Sequence, residues 1–167
     1  MLSPEPGLPH PHALNSGGQR PATVADDRVS RRGKVCAAMQ HFASNESFEL
    51  TIDPGKRLLL CSASGLWSKE IAEDYAVALS SAIEALVRAG APHGELLVLL
   101  DLRAATIMPK ELFDMLHHIG ERHTPATRKI AILSSGALQR LQFKRIIPDG
   151  ATYFDDKEAA LGWLLAD

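Results

Sequence analysis

The residues best suited to chemistry stand where two apolar runs give way to helix-forming ones. In "ELLVLLDLRAATIMPKEL" (95–112) a carboxylate and a guanidinium, Asp101 and Arg103, close a continuous apolar run. In "RKIAILSSGALQRLQ" (128–142) the run ends on Ser134, Ser135 and Gly136. A helix opening after Ser-Ser-Gly offers free N–H groups and a positive dipole end to an anion. Ligands of open α/β sheets gather beyond the carboxyl ends of parallel strands. If the two strands are neighbours, these five residues form a shallow polar ligand or anion site, with Arg140 one turn behind. A structural role fits the same residues: the serines cap the helix and Asp101 accepts from loop amides.

Other constellations carry less. His117 and Glu121, at i,i+4, have the spacing of a metal pair, but a site needs a further ligand on that face. His118 points about 100° away, so exposed histidines on a charged helix fit the pattern and no metal is expected. Arg140, Lys144 and Arg145 fall near a helix end, where cations suit the dipole. The sequence has no Gly-x-Ser-x-Gly elbow, Walker loop, GxGxxG or HExxH. An enzyme would need a polar cluster that the sequence does not display, so no catalytic residue and no cofactor is expected. Trp67 and Trp163 have apolar neighbours and read as packing residues.

The elements that must position these residues begin at Phe48. "FELTID" alternates apolar and polar, "PGK" turns and "RLLLCSAS" follows, a β-hairpin. Ser68 caps a long helix to Ala89, with Gly90 at its C′ position and Ile71, Tyr75, Leu79, Ile83, Leu86 and Val87 in one stripe. The run through Asp101 is a strand buried on both faces. Pro109, at a first helical position, opens a helix with Leu112, Phe113, Leu116 and Ile119 inward. "RKIAILS" is a strand, 137–145 a helix and "ATYFDD" a last strand. Asp155 and Glu158 make a capping box for a final helix to residue 166. The order β-β-α-β-α-β-α-β-α predicts an α/β fold. It has a mixed four- to five-stranded sheet, an N-terminal hairpin, parallel later strands and about four helices.

Residues 1–47 read as a disordered tail before a single domain at 48–167. Five of the ten prolines fall in the first 21 residues, without apolar periodicity, and such a segment buries too little to offset its ordering entropy. Met39 is an alternative start, and "RVSRRGK" reads as a solvated charge run. Cys36 and Cys61 lie far apart with no ligand spacing, which argues for a reducing, cytoplasmic setting. A net charge of -2 and 5% aromatic residues give no footprint for nucleic acid. No run approaches the ~18 apolar residues of a membrane helix, and no signal-peptide pattern opens the chain.

The order, with "FELTID…RLLLCSASGLWS", "LLVLLDLRAAT", "RKIAILSSGALQRLQ" and "YFDDKEAALGWLL", resembles the STAS domain family of anti-sigma-factor antagonists. Its SpoIIAA-like divergent bacterial members are the most similar, over about residues 48–166. The resemblance implies binding of proteins or small ligands, sometimes under a phosphorylation switch. Antagonists of this family carry an Asp-Ser-Ser-Gly-type loop after the strand ending in Asp-Leu. Counted from Asp101 and Leu102, that loop falls at Pro109, Lys110, Glu111 and Leu112, with Lys110 in the phosphoacceptor position. Lysine neither accepts a serine-kinase phosphate nor mimics one, and Thr106 lies before the helix instead of starting it. The expectation is a non-enzymatic protein-interaction or regulatory module lacking the phosphorylatable serine. Thr106, Pro109, Lys110 and Glu111 would lie on its partner surface, and a homodimer surface is compatible with it. The alternative is a small-ligand or lipid-binding domain with its site at the strand carboxyl ends.

Overall fold

The computed structural model describes residues 39–106, 109–145, 147 and 150–167. The tail reading for residues 1–38, with Cys36 and "RVSRRGK", lies outside the described residues.

Among the described residues the sheet has six strands, not four or five, in the order β1-β2-β3-β4-β5-β6. The added strand is β1 (Gln40–Ser44), inside the stretch read as tail, antiparallel to β2 (Phe48–Asp53). Its residues are mostly exposed, so it lacks the apolar alternation that marks a half-buried strand. In the connecting turn the Asn45 side-chain oxygen accepts from the Ser47 and Phe48 N–H groups, both at 2.8 Å, which is how asparagine commonly holds a turn. The expected hairpin follows: β2 pairs antiparallel with β3 (Leu58–Gly65) through a short 3-10 turn at Pro54–Lys56.

From β3 onward every pairing is parallel, through β4 (Leu96–Ala105), β5 (Thr127–Leu133) and β6 (Ala151–Phe154). Helices α1 (Lys69–Arg88), α2 (Lys110–His123) and α3 (Ala137–Phe143) are the crossovers. Strand order equals chain order, so each crossover steps the same way, and right-handed connections then place every crossover helix on one face. The core agrees. Leu79, Ile83 and Leu86 of α1, Leu112 of α2 and Phe143 of α3 share one cluster with Leu50, Cys61, Val98 and Ile132. Val87, expected in the α1 stripe, is exposed.

Among the described residues the opposite face receives only α4 (Lys157–Leu165), whose Ala160 and Leu164 pack on Leu58, Leu97, Leu99, Ala131 and Leu133. Nine residues make a helix about 14 Å long, enough for about three strands spaced ~4.8 Å apart. No described residue outside the sheet covers the outer face of β1 and β2.

Helix ends follow local chemistry. Ser68 Oγ accepts from Ile71 N at 3.4 Å, and Gly90 takes φ 100°, the left-handed conformation that closes α1. Pro109 precedes α2 and is not its first residue. The capping box expected at Asp155 is displaced by one residue. Asp156 accepts from Ala159 N at 2.8 Å, while the Asp155 carboxylate is taken by Arg140.

Candidate functional site

β4 and β5 are neighbours, with Asp101 opposite Leu133, but β4 runs on to Ala105, so Asp101 and Arg103 lie within that strand and not at its end. The five residues divide between two environments. Arg103 donates to Asp101 through Nε at 2.9 Å and Nη2 at 2.7 Å, and its backbone N–H adds a third bond at 3.3 Å. The hydrogen bonds from Arg103 hold the Asp101 carboxyl below the usual carboxylate range and raise the guanidinium in turn.

Ser134 is buried, and its Oγ accepts from Arg140 Nε at 3.0 Å. The Ser135 N–H and hydroxyl both donate to Gln139 Oε1, at 2.7 and 3.1 Å. Gln139 Nε2 donates to the Leu102 and Ala105 carbonyls at 2.8 and 2.9 Å, tying α3 to the end of β4. Gly136 sits at the helix boundary with no side-chain cap. The polar groups of Ser134 and Ser135 thus find partners inside the chain, and neither serine caps α3 by its side chain.

Asp101 and Arg103 instead line a groove of about 760 Å³ on the uncovered outer face, with His41, Ser44, Asn45, Glu49 and Ser62. Strand register builds it: Ser44 lies opposite Glu49, Glu49 opposite Ser62 and Ser62 opposite Asp101. Ser44 Oγ is 3.2 Å from His41 Nε2, and His41 Nδ1 is 3.3 Å from Glu49 Oε1. None of these three residues was expected to matter: His41 and Ser44 fall in the stretch read as tail, and Glu49 read only as a polar position of the FELTID strand. The readable signal was "HFAS-NES-FELT", two short segments around an asparagine turn.

Thr106, Pro109, Lys110 and Glu111 are all exposed, and Thr106 N donates to Gly65 O at 2.9 Å. Ile107 and Met108 between them lie outside the described residues. On α3, beside the Gln139 tie, Leu138 and Leu141 are 67% and 62% exposed.

A cavity of about 120 Å³ lies between the sheet and helices α1 and α2, lined by Cys61, Trp67, Tyr75, Leu79, Leu116 and Ile119 among others. It runs along the strands under the helices, not at Ser134–Gly136. Burial, partly offset by a hydrogen bond with Tyr75, pushes the Cys61 thiol up to about 12. Burial likewise raises the Tyr75 hydroxyl, with Cys61 adding to it. His123 lines the cavity wall, its Nε2 3.2 Å from Ser80 Oγ of α1, and partial burial lowers its pKa. Trp67 packs on Tyr75 and Phe48, yet its buried Nε1 has no hydrogen-bond partner among the described residues.

Glu121 meets both His117 and His118, at 3.2 and 3.3 Å, so His118 is not turned away from it. Among the described residues no group of three metal-ligating side chains forms, and no helix is long and apolar enough to cross a membrane. Lys144 lies over the Tyr153 ring at 5.9 Å, and Trp163 packs on Phe154 with Lys129 over its ring.

Parallel β3–β6 behind an antiparallel N-terminal hairpin, with α1–α3 on one face, make this an α/β chain of SpoIIAA-like fold, the fold of STAS domains. A solved structure similar to it is that of an uncharacterised protein of the DUF3478 family with a SpoIIAA-like fold, from Shewanella loihica PV-4. It has 25% sequence identity and a TM-score of 0.51, over 76% of this chain and 92% of that one. No protein-family profile and no curated protein matches the chain.

Proposed function

We propose that the protein is a protein-interaction or regulatory module that works without a serine phosphorylation switch. One observation carries the reading: the exposed leucines Leu138 and Leu141 stand on a helix that Gln139 ties to β4 at Ala105, the residue before the exposed Thr106, and the exposed Lys110 and Glu111 open the helix that follows β4. An apolar pair with a charged rim is the usual composition of a protein-docking patch. Lys110, which the resemblance to such antagonists puts at the phosphoacceptor position, gives the surface a positive charge. The test is affinity purification from the native cell with the wild-type chain and Lys110→Glu as baits. Because Lys110 is exposed, the variant should keep its stability within about 0.5 kcal/mol and lose or exchange its partner. An unchanged partner set counts against the reading.

A second reading, a small-ligand or lipid-binding domain, is favoured by the cavity under α1 and α2. Its size approaches that of engineered apolar cavities of about 150 Å³ that take up benzene. The Trp67 N–H, without a partner among the described residues, adds a donor for a ligand with one acceptor. Cyclohexanone is a suitable probe. Its addition should raise the melting temperature, and Trp67→Phe should reduce that rise; no rise at all removes the reading.

A further inference from the structure

His41 and Ser44 are three residues apart on a strand, and in a regular strand they would face opposite sides. The β1–β2 register slips between His41 and Ala43: His41 faces Thr51, Ala43 faces Leu50 and Ser44 faces Glu49. The extra residue of this bulge, Phe42, turns both side chains to the outer face, the re-aiming that bulges perform beside active sites. The result is a continuous relay. Glu49 Oε1 lies 3.3 Å from His41 Nδ1, and His41 Nε2 lies 3.2 Å from Ser44 Oγ. With the proton on Nδ1 donated to Glu49, the Nε2 lone pair is free to take the serine proton. That is the division of labour of a nucleophile, a base and an orienting carboxylate. The relay opens on the groove of about 760 Å³ whose wall continues through Ser62 to Asp101 and Arg103, a size suited to small molecules.

We propose that Ser44 is an activated nucleophile that takes acyl groups from carboxylic esters bound in this groove and returns them to water. Ser44 Oγ attacks the ester carbonyl carbon while His41 Nε2 takes the hydroxyl proton. The bond from that carbon to the alcohol oxygen breaks, and the alcohol leaves with the proton from His41. Water then attacks the acyl-Ser44 carbonyl, passing its proton through His41 to Ser44 Oγ, and the carboxylic acid departs. Glu49 holds the imidazole in its working tautomer as a positioning residue. This chemistry goes beyond the binding role above. It lies on the face opposite α2 and stands or falls independently of it.

The test uses the full chain with p-nitrophenyl acetate, and with a fluorophosphonate probe read by intact mass and peptide mapping. The wild type should hydrolyse the ester roughly tenfold faster than S44A. That is less than the ~10²- to 10⁴-fold typical of positioned acid–base groups, because the relay is open to water. H41Q and E49Q should lose most of that difference, and the phosphonyl adduct should map to Ser44. His41 and Glu49 are 57% and 56% exposed and Ser44 is exposed, so the variants should melt with the wild type. A wild-type rate equal to that of S44A overturns the proposal, as does an adduct absent from Ser44. So does activity that S44A keeps and H41Q loses, since imidazole alone would then be reacting.

Discussion

Gln139 holds more of the candidate surface in place than any charged residue near it. Its amide accepts twice from Ser135 and donates to two carbonyls of β4, at sequence separations of 37 and 34 residues. Gln139→Ala removes the amide donor from those two carbonyls, a cost of about 1–3 kcal/mol, to be read from the urea midpoint at unchanged m-value. A loss below ~0.5 kcal/mol would mean that water replaces the amide. Asp101 makes a second residue-scale case. Arg103 lowers its folded pKa below the unfolded one, so the pair's contribution is present above the unfolded carboxylate range and lost as pH falls through the folded value. Both groups are partly exposed, so the effect is small. Wild type should melt slightly above Asp101→Asn near neutrality, and the two curves should meet in acid; a constant offset would refute the assignment. Asp101 was readable in the sequence as a carboxylate closing an apolar run, but β4 runs on to Ala105, so it stands within the strand and not at its end. Gln139 was not readable, because its partners are main-chain carbonyls that no spacing rule points to.

At the scale of elements, what was legible had a periodicity to carry it. The α1 stripe, the Ser68 cap and the continuous apolar runs of β4 and β5 came straight from pattern. β1 did not, because its residues are mostly exposed and so lack the apolar alternation of a half-buried strand, and the strand count fell short for that reason. Helix starts suffered from adjacency: in "FDDKEAAL" two aspartates compete for one cap. Asp156→Ala should cost about 1 kcal/mol, with thermal melts as the readout. Asp155→Ala should cost less, because it removes only a partly exposed pair with Arg140. Equal losses would show that the capping role is shared. The candidate relay of His41, Ser44 and Glu49 was hidden with β1, since two of its three members sit on the unread strand and a bulge, invisible in sequence, brings them together.

For the molecule as a whole, a monotonic strand order decides which surfaces exist. Among the described residues it places three crossover helices over one face and a single short C-terminal helix over the other, so both the cavity and the groove follow from connectivity. The same order governs how the protein can be made. No strand must wedge between two that have already paired, since each joins the growing edge as it leaves the ribosome, next to the strand synthesised just before it. Assembly can run from the amino-terminal hairpin outward in step with translation, so the unfinished edge always belongs to the youngest strand. Until β6 and α4 emerge, that edge is β5, whose apolar "IAIL" is the segment most in need of protection during synthesis.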